Sequence, residues 1–99
     1  MTNSSILSIT SIPEVGPLTE LRIELANPPP NPPWMVHLGT FPMTPFQYHV
    51  EQIGLEDVGV IIATVPTLPA GYSDPRTYRW RISVVLPGPT ILEKDNVQL

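Results

Sequence analysis

From Tyr78 to Val84 the chain alternates without a miss, with Tyr78, Trp80, Ile82 and Val84 in one phase and Arg79, Arg81 and Ser83 in the other. Successive side chains of an extended strand point to opposite faces, so this period of two specifies a β-strand with one buried and one wet side. An apolar sheet face has to be covered by a second layer, so this one segment already commits the chain to packed sheets.

The same rule locates the other strands. Residues 18–26 set Leu21, Ile23 and Leu25 inward against Glu20, Arg22 and Glu24. Residues 6–12 place Leu7 and Ile9 opposite Ser8 and Thr10, and residues 34–39 place Trp34, Val36 and Leu38 opposite Met35 and His37. Residues 46–53 carry Phe46, Tyr48 and Val50 against Gln47, His49 and Glu51. Residues 58–65 are nearly all apolar, as expected of a strand covered on both faces or facing a partner. Residues 90–99 close the set with Ile91, Val97 and Leu99, interrupted by a turn or bulge at Glu93-Lys94-Asp95-Asn96. No capped, 3.6-period helix pattern occurs, and turn signals recur at the spacing of a sandwich of about seven antiparallel strands. The first, second and fifth strands are expected to share a sheet, with Trp34 or Trp80 at the centre of the core.

Fourteen prolines in 99 residues would suggest disorder if they were scattered, but they fall between the alternating runs. Proline cannot donate to a sheet ladder, so here it punctuates a folded β protein. Residues 27–33, with five prolines, read as a stiff extended strut. Residues 1–99 are read as one all-β domain.

A net charge of −4 with only five basic residues offers no basic stripe for nucleic acid. No apolar run approaches the ~20 residues of a membrane helix, so no membrane insertion is expected. The N-terminal segment has no basic region followed by an apolar core, so no signal peptide is expected. Asn3-Ser4-Ser5 matches a glycosylation triplet that chance readily supplies. The absence of cysteine rules out disulfides, thiol catalysis and thiolate metal sites.

Little remains to carry chemistry. The two histidines, His37 and His49, have no nucleophile elbow beside them, which points away from an enzyme. His49 and Glu51 share a strand face, but two ligands fall short of the three or four a zinc site uses. Glu56, Asp57, Asp74 and Asp95 lack the spacing of a calcium loop, so no cofactor or metal is expected. The candidates for partner binding are Trp34 beside the proline strut, Tyr72 in the following long loop, and the basic pair Arg79 and Arg81 with Arg76 nearby. Each has a structural alternative. Trp34 could fill the core, and the arginines could pair across strands with Glu20, Glu24 or Glu51.

Ile6-Leu7-Ser8-Ile9-Thr10-Ser11-Ile12-Pro13-Glu14, Gly16-Pro17 and Leu21-Arg22-Ile23-Glu24-Leu25-Ala26-Asn27 together resemble the opening of immunoglobulin-like or fibronectin-type-III-like bacterial and viral surface modules. Leu68-Pro69-Ala70-Gly71 with Tyr78-Arg79-Trp80-Arg81-Ile82 resembles their tyrosine corner and penultimate strand. The cysteine pair of antibody-type domains is missing. The loop before Tyr78 is longer than Leu-x-x-Gly-x-Tyr, leaving either Tyr72 or Tyr78 as the corner residue. The resemblance implies an immunoglobulin-like sandwich that works by contact. The expected function is that of a virion accessory component, such as capsid decoration, tail or fibre. Its partners would be a capsid or tail protein or further copies of the chain, joined through residues 58–65 or an exchanged terminal strand. The alternative is an extracellular module binding carbohydrate or a cell-surface protein. The expected location is accordingly the virion or the cell surface.

Overall fold

The computed structural model describes residues 3–99. Eight strands and one short 3-10 turn follow in the order β1 (Ser5–Ile12), β2 (Glu20–Ala26), β3 (Met35–Leu38), β4 (Phe41–Pro42), β5 (Phe46–Ile53), β6 (Glu56–Thr64), the 3-10 turn (Pro75–Thr77), β7 (Arg79–Leu86) and β8 (Thr90–Gln98). They form two four-stranded antiparallel sheets, ordered β1-β2-β6-β5 and β4-β3-β7-β8. The first, second and fifth expected strands do share a sheet, and the strand over residues 46–53 joins them. The count exceeds the expected seven because Phe41–Pro42, read as a break, forms a two-residue strand at a sheet edge, where proline is tolerated.

The inward phase of each sheet builds the core. Leu21, Ile23, Leu25, Ile61 and Ala63 from one sheet meet Val36, Leu38, Trp80, Ile82, Val84, Leu86 and Val97 from the other, with Met43 fully buried among them. Trp80, 7% exposed, is the core tryptophan. Trp34 is not. It lies one residue ahead of β3 and is 59% exposed, while Pro33 is buried in its place. The alternation through Val36 and Leu38 stops where the strand stops, and the proline strut sets its own side-chain directions.

Two other phases are shifted by bulges, each of which puts two residues opposite one. In β1, Ile6 pairs with Leu25 and Ser8 with Glu24, which makes Leu7 the extra residue. Ile6 and Ile9 therefore pack inward and Leu7 is exposed, against the expected pairing of Leu7 with Ile9. In β8, Val97 pairs with Trp80 but Lys94 with Ile82, so Asp95 and Asn96 together face Arg81. Asn96 takes φ +60°, in the left-handed region that asparagine tolerates. The suspected irregularity at residues 93–96 is this bulge. Its phase shift turns Leu92 toward the core and leaves Ile91 exposed, where Ile91 was expected inward.

β6 is an interior strand between β2 and β5 and is covered on both faces. It has no free edge at which to pair with another strand. Its outer-face Val60 is fully buried even though no third layer exists. Arg22, in register with Ile62, reaches across β6 to Glu51, in register with Val58, at 2.8 Å. Val60 lies between those rungs, beneath the ion pair and the alkyl stem that carries it.

Candidate interaction surface

Register brings three outward-phase apolar residues into one row. Met35 of β3 faces Val85 of β7, which in turn faces Ile91 of β8. Met35 and Ile91 are 46% and 56% exposed. Trp34 flanks the row, its backbone N–H donating to the Val85 carbonyl at 2.8 Å. The next row, His37, Ser83 and Glu93, is polar, and the bulge beyond it holds Arg81 against Asp95 and Glu93. The outer face of the β4-β3-β7-β8 sheet is thus apolar at one end and charged at the other. Exposed apolar surface with a polar rim is the composition of a protein contact site.

Each sequence candidate has a definite place. Arg81 bonds to Asp95, with Glu93 at 3.7 Å, and those carboxylates hold its pKa above the usual guanidinium value. The arginines were expected to pair with Glu20, Glu24 or Glu51. Instead Glu24 and Glu51 belong to Arg22, and Arg76 donates to the carbonyls of Gly16 and Pro13. Arg79 is exposed opposite Gln98, and among the described residues no ion pair engages it.

Tyr72 belongs to a closed ring of four edge-to-face contacts. Its ring centroid is 5.5 Å from Phe41 and 5.8 Å from Tyr78, and both of those rings meet Trp80. The Tyr78 hydroxyl accepts the Ser73 N–H at 2.8 Å, which lowers its pKa, and the Trp80 indole N–H donates to Pro75 at 2.8 Å. Of the two tyrosines, Tyr78 therefore makes the upstream backbone bond. Tyr72 caps its aromatic neighbours at the end of β3 remote from Trp34, so the two candidates cannot stack on one ligand.

At the Trp34 end, Tyr48 fixes the proline strut by donating its hydroxyl to the Pro29 carbonyl at 2.6 Å, and burial raises its pKa. Gly59 makes room for both, since a Cβ there would lie 3.1 Å from Pro28 and from the Tyr48 ring. An open cleft of about 490 Å³ runs beside the strut, lined chiefly by Asn27, Pro28, Pro30, Asp57, Pro87 and Thr90.

The titratable groups are dispersed. His37 lies on the outer face of one sheet and His49 on that of the other. Asp74 caps the 3-10 turn by accepting the Arg76 N–H, Asp95 holds Arg81, and Glu56 and Asp57 start β6 at the far end. His49 bonds Glu51 at 2.8 Å, and that carboxylate is kept below its usual range first by His49 and then by Arg22.

Met35, Val85 and Ile91 were not singled out by sequence reading. Their signal is an apolar residue in the outward phase on three strands, and it becomes a surface only once register aligns the three. In comparisons with known proteins, no family model matches the chain, and neither do curated proteins or solved structures.

Proposed function

We propose that the chain is a non-enzymatic interaction domain of immunoglobulin-like topology, a virion accessory component that docks on a capsid or tail protein through the β3-β7-β8 face. The exposed row of Met35, Val85 and Ile91 beside Trp34 carries this reading. Three contiguous outward apolar residues in one row lower solubility unless a partner covers them, and Trp is enriched where binding energy concentrates. Arg79 and the Arg81 cluster would form the polar rim that sets orientation. The topology is supported by the strand order. With the short β4 counted as an addition beside β3, the sheets contain strands one, two, five and four of a seven-stranded set and strands three, six and seven, which is the constant-type arrangement. The Tyr78 hydroxyl bond supports it further as a tyrosine corner.

The alternative, an extracellular module for carbohydrate or a cell-surface protein, rests on Trp34 and the cleft beside the proline strut. The two readings separate by fractionation. Antiserum raised against the purified domain should detect it in density-gradient-purified virus particles of its source. Met35→Glu and Ile91→Glu variants should fail to be incorporated while melting normally. Recovery at the cell surface together with glycan binding that Trp34→Ala removes would favour the alternative. Absence from both fractions would refute both readings.

A further inference from the structure

We propose that β5 is a docking edge for a second copy of this chain, pairing antiparallel with its own counterpart about a two-fold axis at Val50. The inference stands apart from the β3-β7-β8 face and uses the other sheet. A sheet edge exposes unpaired N–H and C=O groups, and proteins blunt such edges with bulges, prolines, short strands or inward-pointing charges. Three of the four edges here are blunted. β1 is bulged at Leu7, β4 is two residues long and contains Pro42, and β8 is bulged at Asp95 and Asn96 with Lys94 in the inward phase opposite Ile82. β5 runs eight residues in unbroken register with β6 and contains no proline.

Its hydrogen-bonding phase is fixed by the Thr64 N–H donating to the Pro45 carbonyl at 3.0 Å. Odd-numbered residues of β5 therefore turn their backbone groups toward β6, and Phe46, Tyr48, Val50 and Gln52 turn theirs outward. A symmetric partner strand must bond to those outward groups, which leaves a short series of registers differing by two residues. Side-chain complementarity selects among the central ones. A two-fold axis at His49 sets His49 against itself, and one at Glu51 sets Glu51 against itself. The axis at Val50 sets His49 against Glu51 of the second copy, twice, which places a ring nitrogen beside a carboxylate as in the His49–Glu51 contact already made at 2.8 Å within the chain.

The same register pairs Tyr48 with Gln52 through backbone bonds and lays Val50 on Val50. Val50 is in the inward phase yet 49% exposed. The two-fold pairing would cover it and make one continuous eight-stranded sheet.

The chain has no cysteine, so introduced thiols report register directly. Directly opposed residues bring Cα atoms to about 5.5 Å, within disulfide range. Sedimentation of the unmodified protein from micromolar to millimolar concentration should show a reversible dimer. Under mild oxidation Val50→Cys should cross-link about ten-fold faster than His49→Cys or Glu51→Cys, since displacement by one rung takes the thiols out of reach. Val50→Pro removes an outward N–H that bonds nothing within the chain, so it should abolish the dimer while retaining the sheet. Ile91→Glu should leave the dimer intact, which separates this proposal from docking through the other face. A protein monomeric throughout that range, faster cross-linking at 49 or 51, or a folded Val50→Pro that still dimerises would each overturn it. Cross-linking rank decides the matter even where the proline variant does not fold.

Discussion

Trp80 and Trp34 are the same residue type in opposite environments, and the difference between them can be measured. Trp80 is 7% exposed, meets the Phe41 and Tyr78 rings edge-on and donates its indole N–H to Pro75. Truncating a buried tryptophan to alanine costs about 3–5 kcal/mol, and the lost hydrogen bond adds about 1 kcal/mol. A domain of this size is stable by about 5–15 kcal/mol in total, so Trp80→Ala would lie near the limit of folding. Trp80→Phe is the usable variant: it keeps a ring, loses the N–H and leaves a small void, for about 2–3 kcal/mol. Trp34 is 59% exposed, so the remaining two-fifths of a 150–250 Å² side chain buries roughly 60–100 Å². At ~25 cal/mol per Å² that sets a ceiling of about 2 kcal/mol for Trp34→Ala, reduced toward about 1 kcal/mol by burial already present in the unfolded chain. Urea titration followed by far-ultraviolet circular dichroism avoids using the deleted fluorophore as the probe. One slope, about 1–3 kcal/mol per molar urea, applies to both variants, so Trp80→Phe should lower the midpoint about two to three times as far as Trp34→Ala. A Trp34→Phe protein should also emit further to the blue, its remaining indole being buried. Equal midpoint losses would refute the argument, because they would mean that the alternation of β3 continues through Trp34 into the core.

Gly59→Ala would place a methyl group 3.1 Å from both Pro28 and the Tyr48 ring, which should cost about 1–3 kcal/mol and shift backbone resonances of residues 27–33. Resonances that stay in place would mean the strut is not seated on that glycine. Glu51→Gln tests the acid limb of stability. A carboxyl held below its usual pKa contributes stability above its unfolded value and loses it as pH falls, so the wild type should exceed the variant at pH 7, with the gap closing below pH ~4. A gap unchanged down to pH ~3 would remove the charge from the explanation. Leu7→Ser should stay within about 0.5 kcal/mol, as at an ordinary surface site, while Ile6→Ala should cost measurably more. The reverse ranking would place the β1 bulge elsewhere.

How far the sequence could be read follows from what fixes each feature. Alternation in β2 and β7 is decided within the strand, so Leu21, Ile23, Leu25, Trp80, Ile82 and Val84 were legible as core residues and are buried. Phase fails where one extra residue enters a ladder. The bulge at Leu7 carries no local composition that sets it apart, the polar run at residues 93–96 marks an irregularity without giving its phase, and each bulge inverts the face of what lies beyond it. Trp34 was misplaced for a related reason: its apparent membership of β3 ended at a proline strut whose course depends on Tyr48 and Gly59, both distant in sequence. The Met35-Val85-Ile91 row was illegible because it is a product of register, which no single strand contains.

The contrast between the two outer faces shows why outward apolar residues need not mean the same thing. Val60 and Val85 are both valines in the outward phase of an interior strand, yet Val60 is fully buried and Val85 sits in an open row. The difference lies in where the neighbouring arginine reaches. Arg22 spans β6 to a carboxylate on the far strand, so its stem roofs the valine between. Arg81 turns instead to Asp95 and Glu93 at the β8 bulge, at the opposite end of β7 from Val85, and leaves the row uncovered. An ion pair on an exposed sheet adds little net stability by itself, about 0–1 kcal/mol. Its larger effect here is to exclude water from one apolar face. Among the described residues no arginine crosses the Met35-Val85-Ile91 row, and that apolar row stays open to solvent.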